Sequence, residues 1–176
     1  MQLLNVIPLS FFQTQNAKEY LDCFLDHLKN LPVSSLIPPD QINHNFIDPS
    51  YVEYTLEKTK APVALVDTCL RFLIKPETLT NLNCDIALFT KSKAPLGSKE
   101  YFDPSFILFK PTPKTIAFLK NLGQKTEKSK EKDLLGNFYS LLKTEALHMQ
   151  ILPLNPLLKK EAVDDSPFFL RWFLKV

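Results

Sequence analysis

Pro62-Val63-Ala64-Leu65-Val66-Asp67-Thr68-Cys69 is the stretch on which the fold turns. Every residue from Val63 to Val66 is apolar, and a carboxylate follows at once. A run this short, apolar at odd and even positions alike, is expected of a strand covered on both faces. Such strands occur in parallel sheets with helices above and below. The run Ser105-Phe106-Ile107-Leu108-Phe109 reads the same way and is the clearest strand signal in the chain. Directly after it, Thr112 and Pro113 supply an N-cap and a first-turn proline for a helix through Leu122, with Gly123 as its expected stop.

Working outward, residues 3–12 read as a buried strand. Asn16 would cap a helix whose apolar positions Tyr20, Leu21, Phe24, Leu25, Leu28 and Leu31 recur every three or four residues. A short strand over residues 33–37 is cut off by Pro38-Pro39, because proline cannot donate to a ladder. Residues 50–60 form a helix, 70–74 a second apolar stretch, and Pro76 opens a short helix through Leu82. Residues 85–89 and 149–154 are further strands. Leu134, Leu135, Phe138, Leu141 and Leu142 define another helix, with Asp133 placed to cap it. Strands and helices alternate, which predicts a single α/β domain with a mostly parallel sheet flanked by helices on both faces. Its core spans about 1–156, followed by an aromatic and basic segment, 157–176.

Composition narrows the function classes. A chain of 176 residues with 45% hydrophobic content is long enough to bury a core without a disulfide or metal staple. Its three cysteines, Cys23, Cys69 and Cys84, are widely spaced and form no CxxC pair, so a reducing, cytoplasmic setting is expected. No basic leader precedes the first apolar run, and no uncharged stretch has the length of a membrane span. Residues 1–88 carry 6 Lys/Arg against 10 Asp/Glu, whereas residues 89–176 carry 15 against 9. The basic half attracts phosphate or an anionic surface. It holds a single arginine, Arg171, and lacks the interleaved aromatics of a nucleic-acid surface, so nucleic acid is not an expected partner. With only 3 glycines, a Gly-rich phosphate loop is excluded.

The order of features from residue 50 to 122 resembles the nucleotide-diphospho-sugar transferases of the GT-A fold. Ala61-Pro62-Val63-Ala64-Leu65-Val66-Asp67-Thr68-Cys69 matches the strand that ends in an Asp-x-Asp motif. Lys75-Pro76-Glu77-Thr78-Leu79 matches the proline-led helix after it, and Cys84-Asp85-Ile86-Ala87-Leu88-Phe89 the "D-x-A" strand. The run from Tyr101 through Phe109 to Pro113 matches a third segment with its following "T-P" helix start. The likeness is looser over 123–156.

The resemblance implies transfer of a sugar from a nucleotide-diphosphate sugar to a saccharide, lipid or protein acceptor. It puts Asp67, Thr68, Cys69 and Ser105 at the donor, with Asp67 holding Mn²⁺ or Mg²⁺, and it names as catalytic Asp103, which would orient the acceptor hydroxyl or act as general base, and Asp133, as an acid. Bond cleavage leaves extra charge on the diphosphate, and a hard cation on carboxylate oxygens neutralises it. Cys69 replaces the second carboxylate with a soft ligand, so the cation would be weakly held. Lys91, Lys93 and Lys99 would offset the same charge without a metal. Asp-Pro-Ser at 103–105 stands where the pattern has "N-x-G". These departures leave a second expectation open, a GT-A-like scaffold that has lost catalysis and serves as a binding or regulatory partner. Each residue also has a plainer reading: Asp67 and Asp103 as turn caps, Asp133 as a helix cap, Cys69 as a buried thiol. The segment 167–176, with Arg171 and Lys175 among aromatics, fits either a membrane surface or a second subunit.

Overall fold

In a strand, successive side chains point to opposite faces, so a fully apolar strand must be roofed twice. Among its described residues, the computed structural model of the protein meets that demand with five helices distributed over two faces of one sheet. It describes residues 3–9, 17–36, 48–68, 70–72, 75–90, 102–128, 134–152 and 158–160. In chain order the elements are β1 (Leu4–Leu9), α1 (Ala17–Leu28), β2 (Val33–Ser35), α2 (Pro49–Thr59), β3 (Val63–Asp67), β4 (Leu70–Phe72) and α3 (Glu77–Thr80). They continue with β5 (Ile86–Thr90), β6 (Phe102–Phe109), α4 (Pro113–Lys128), α5 (Leu134–Leu142), β7 (Met149–Leu152) and β8 (Leu158–Lys160).

Six strands make the main sheet in the order β2-β1-β3-β6-β5-β7. β1 pairs in parallel with both β2 and β3, and β5 pairs in parallel with β7. β6 runs against its neighbours β3 and β5. The sheet is therefore mostly parallel with one reversed strand, as the fold class expected from the sequence allows. β3 lies third, between β1 and β6, and all five of its residues are buried.

Alternation along the strands divides the core. Ile7, Leu9, Val63, Leu65, Ile86, Leu88, Ile107 and Phe109 face α2, α4 and α5. Leu4, Val6, Ala64, Val66, Ala87, Phe89, Phe106 and Leu108 face α1 and α3. On the first face Phe138 meets Phe118 edge to face, with ring centroids 5.5 Å apart. On the second, Phe89 and Phe106 lie 4.7 Å apart across the β5–β6 ladder. Among the described residues no helix is long and apolar enough to cross a membrane.

Caps explain several boundaries. Asp48 accepts the Ser50 amide at 2.9 Å, and Pro49 opens α2 with its fixed φ. α2 closes at Lys60, whose φ of 54° is the left-handed region usually left to glycine. Thr112 caps α4 as expected, its Oγ1 accepting the Thr115 amide at 3.2 Å. Gly123 does not end that helix, contrary to the sequence reading. The helix runs on to Lys128, and its last turn is tied to α5: Lys125 Nζ donates to Ser140 Oγ at 2.8 Å and Asn137 Nδ2 to Thr126 Oγ1 at 3.4 Å, against the roughly 1 kcal/mol cost of an interior glycine. β6 begins three residues before the expected Ser105, because a bulge absorbs Pro104. The register jumps from Leu88 against Ile107 to Phe89 against Asp103, a device that tolerates a residue without an N–H. Asn16 and residues 10–12 and 153–154 lie outside the described residues. β8 falls in the segment set apart as 157–176 and pairs antiparallel with β4.

At the amino end of the sheet Asp85 ties three elements together. Its carboxylate accepts from Thr112 Oγ1 at 2.6 Å and from the His148 amide at 2.8 Å. Its own carbonyl accepts from Thr115 Oγ1 at 3.1 Å and from the Lys110 amide at 2.9 Å. Removing the carboxylate strands a donor on each side. Asp85→Ala should cost roughly 2–4 kcal/mol, read as a lower urea midpoint with an unchanged m-value.

Candidate functional site

Open α/β sheets bind ligands beyond the carboxyl ends of their strands, at the point where successive connections leave in opposite directions. Here β1 leads through α1 to β2 on one side, and β2 leads through α2 to β3 on the other. α1 and α2 cover opposite faces. The switch point therefore lies between β1 and β3, whose carboxyl ends are Leu9 and Asp67. The two ends are stitched together, with the Thr68 amide donating to the Leu9 carbonyl at 2.9 Å.

Asp67 is 2% exposed. By alternation it lies on the face of Val63 and Leu65, towards α4 and α5. Val66 and Phe106 are the last pair of the β3–β6 ladder, and Asp67 and Ser105 each lie one residue beyond it. Ser105 is 5% exposed, and its Oγ has no hydrogen-bond partner. A buried hydroxyl left unpaired is costly and marks a place where a polar partner fits. Asp103 spends one carboxylate oxygen on the Ser105 amide at 2.9 Å, the turn role that its place before Pro104 suggested.

Tyr139, from α5, closes this group. Burial pushes its phenol well above the ordinary tyrosine range, and the negative charge of Asp103 pushes in the same direction. The fold thus brings together Asp67, Thr68, Asp103, Ser105 and Tyr139 at the carboxyl end of β3. Cys69, Lys91, Lys93, Lys99, Asp133 and the segment 167–176 lie outside the described residues. The ends of the lysine-bearing segment are described, and Thr90 pairs with Phe102 at this same edge.

Two residues at this edge escaped the sequence reading. Tyr139 hides within the spacing of a core helix, four residues after Leu135. Arg71 hides inside an apolar run, although it is the one arginine in residues 1–88. Its Nη1 donates to the carbonyls of Thr68 at 2.7 Å and Leu70 at 2.9 Å, and its guanidinium stands 5.7 Å from the centre of the Phe24 ring. A groove lined by Leu56, Lys60, Pro111, Thr112, Ile116 and Lys120 lies at the opposite, amino end of β3. Its position between α2 and α4 sets it apart from the chemistry-bearing residues, and strand direction favours the Asp67 edge.

No family model matches the chain, and no curated protein matches it in sequence. Solved structures do match in shape. One is a glycosyltransferase involved in the glycosylation of the major capsid of PBCV-1. It aligns over 86% of this chain and 82% of its own, with a TM-score of 0.61 and 10% identity. The fold is GT-A-like. A second match is the glycosyltransferase GlyE of Streptococcus pneumoniae, with a TM-score of 0.50 and 13% identity over 86% of this chain. The chain spans 45% of GlyE, so it corresponds to part of that longer protein. These likenesses establish the GT-A-like architecture of the chain.

The donor set for a cation was tested on the same geometry. Among the described residues no three of His, Cys, Asp and Glu gather to hold a metal ion. Asp67 is the carboxylate at the expected position, and with Asp103 as the other carboxylate of the group it falls short of a cage for Mg²⁺ or Mn²⁺.

Two outcomes follow from this geometry. Ser105→Ala removes an unpaired buried hydroxyl and should raise stability by about 1 kcal/mol in urea unfolding. Tyr139 favours the folded state through its neutral form, so its contribution is complete below the ordinary tyrosine pKa near 10 and is lost as pH rises above it. Comparing Tyr139→Phe with the wild type from pH 9 to 11.5 should show the wild type losing stability faster above pH 10. The expected difference is up to about 1.4 kcal/mol per pH unit.

Proposed function

We propose that the protein binds a nucleotide-diphosphate sugar at the carboxyl edge between β1 and β3 and transfers the sugar to an acceptor hydroxyl. The observation that carries this reading is the coincidence at one switch point of a buried carboxylate, Asp67, and an unpaired buried hydroxyl, Ser105. A structural cap alone does not call for a second, unsatisfied polar atom beside it.

In the proposed reaction the bond between the anomeric carbon and the diphosphate oxygen breaks, and the leaving group departs with one more negative charge. A new bond forms from the acceptor oxygen to the anomeric carbon, and the hydroxyl proton passes to a base. Asp103 is the proposed base through the carboxylate oxygen not engaged by Ser105. Asp133 at the start of α5 is the alternative acid. Asp67, Thr68 and Ser105 orient the donor, with Cys69 in the same turn. Lys91, Lys93 and Lys99, in a segment tethered at both ends to this edge, supply positive charge for the leaving diphosphate. Ammonium groups do this without a resident metal, so we expect weak dependence on Mn²⁺ or Mg²⁺, with any cation arriving on the donor and meeting Asp67. The acceptor is a saccharide, lipid or protein. The 167–176 segment, with its aromatics and Arg171, is the proposed contact to a membrane surface or a second copy.

Thermal unfolding in the presence of UDP, GDP, CDP and their sugars, with and without Mn²⁺, tests the reading. A ligand at a hundred times its dissociation constant should stabilise the fold by about 2.7 kcal/mol. Asp67→Asn should abolish the shift while leaving the free protein folded. No shift with any nucleotide would remove the transferase reading and leave a scaffold of GT-A-like shape.

A further inference from the structure

A guanidinium that is only 7% exposed needs a reason to be where it is. Burying a charge costs several kcal/mol unless hydrogen bonds and a polarisable surface replace the lost water. Arg71 has both: two carbonyl acceptors on the chain immediately before and around it, and the face of Phe24 beneath its guanidinium. Both of these acceptors lie close by in the chain. They are the carbonyls of Thr68 and Leu70, on either side of position 69, in the turn that begins at Asp67.

The same short stretch is held at two more points. The Thr68 amide is fixed to the β1 carbonyl of Leu9 at 2.9 Å. The Phe72 amide donates at 3.0 Å to Nε2 of His27, whose ring stacks on Phe72. α1 therefore grips β4 through His27 and Phe24, and Arg71 links that grip to the carbonyls of the turn. A carbonyl oxygen held by a charged donor sits in a stronger and more directional bond than a neutral donor provides. With Thr68 fixed through both its N–H and its C=O, the residue before it has little freedom.

We infer that Arg71 is a positioning residue, which clamps the turn after β3 and so holds the Asp67 carboxylate at the orientation in which it meets the donor. This rests on the reading of Asp67 as part of a nucleotide-sugar site, and it adds that the site's rigidity comes from a buried cation behind the turn. Both bonds leave the single nitrogen Nη1; lysine carries the same charge but lacks the planar guanidinium that rests on Phe24 and fixes where that nitrogen sits. The assignment therefore separates charge from geometry.

The test uses the full chain and three variants: Arg71→Met, Arg71→Lys and, as a control away from the turn, Lys114→Met. Hydrogen exchange at the Thr68 amide is compared with that at Leu65 in the same strand, and UDP, GDP and CDP are titrated against each variant. Arg71→Met should speed Thr68 exchange at least tenfold relative to Leu65. It should also weaken the best-binding nucleotide at least tenfold, whereas Arg71→Lys gives intermediate values and the control gives none. Unchanged Thr68 exchange, or equal acceleration at Thr68 and Leu65, overturns the assignment, because the clamp would then be absent or merely part of global stability. If Arg71→Met does not fold, the Arg71→Lys values decide in the same way. A wild type that binds none of the three nucleotides sinks the transferase reading, while the exchange ratio still decides whether Arg71 clamps the turn.

Discussion

Everything in this molecule depends on a five-residue strand that has no solvent-facing side. β3 is buried along its whole length, so its backbone groups must be taken by neighbours and its side chains roofed from above and below. β1 on one flank and β6 on the other take the backbone groups. α2, α4 and α5 roof one face, and α1 with α3 the other. No helix could be lost without exposing apolar surface on the strand that delivers Asp67. The carboxylate sits where that constraint ends, at the first position where the chain is free to turn out of the sheet.

The same constraint explains why the two ends of the sheet differ in character. At the amino end Asp85 answers Thr112 and His148, and the Lys110 ammonium donates to the Thr80 carbonyl. Burial there shifts Lys110 down from the ordinary lysine range and pushes the Cys84 thiol up. At the carboxyl end the matching is incomplete, with Ser105 Oγ unsatisfied beside Asp67. Folded proteins carry few such mismatches, and they concentrate where a ligand completes the set.

Much of this was legible in the sequence. The runs at 63–66 and 105–109 announce doubly covered strands because no polar residue interrupts either parity. Thr112-Pro113 announces a helix start because both residues act locally. What was not legible depends on distant partners. Gly123 looks like a stop until α5 supplies polar partners for Lys125 and Thr126 beyond it. Ser105 looks like a strand start until the bulge at Pro104 carries β6 back to Phe102. The reversed direction of β6 has no sequence signature at all, since an apolar strand reads alike in either direction. Asp67 and Ser105 were named through a family likeness, but Tyr139 and Arg71 were passed over. Both sit in apolar surroundings that sequence alone reads as core; Tyr139 acts on Asp103, far away in chain order, whereas the bonds of Arg71 to its own turn are local but need that turn to be folded.

β8 adds a constraint of its own. Leu70 pairs with Lys160 and Phe72 with Leu158, partners separated by about half the chain. Closing so long a loop is entropically unfavourable until the ends are already near one another. The β5–β6 pairing closes a far shorter loop, with Thr90 against Phe102. On loop entropy alone the small β4–β8 ribbon is the costlier of the two to close. The rim nearest Asp67 is thus stitched by partners drawn from opposite halves of the chain.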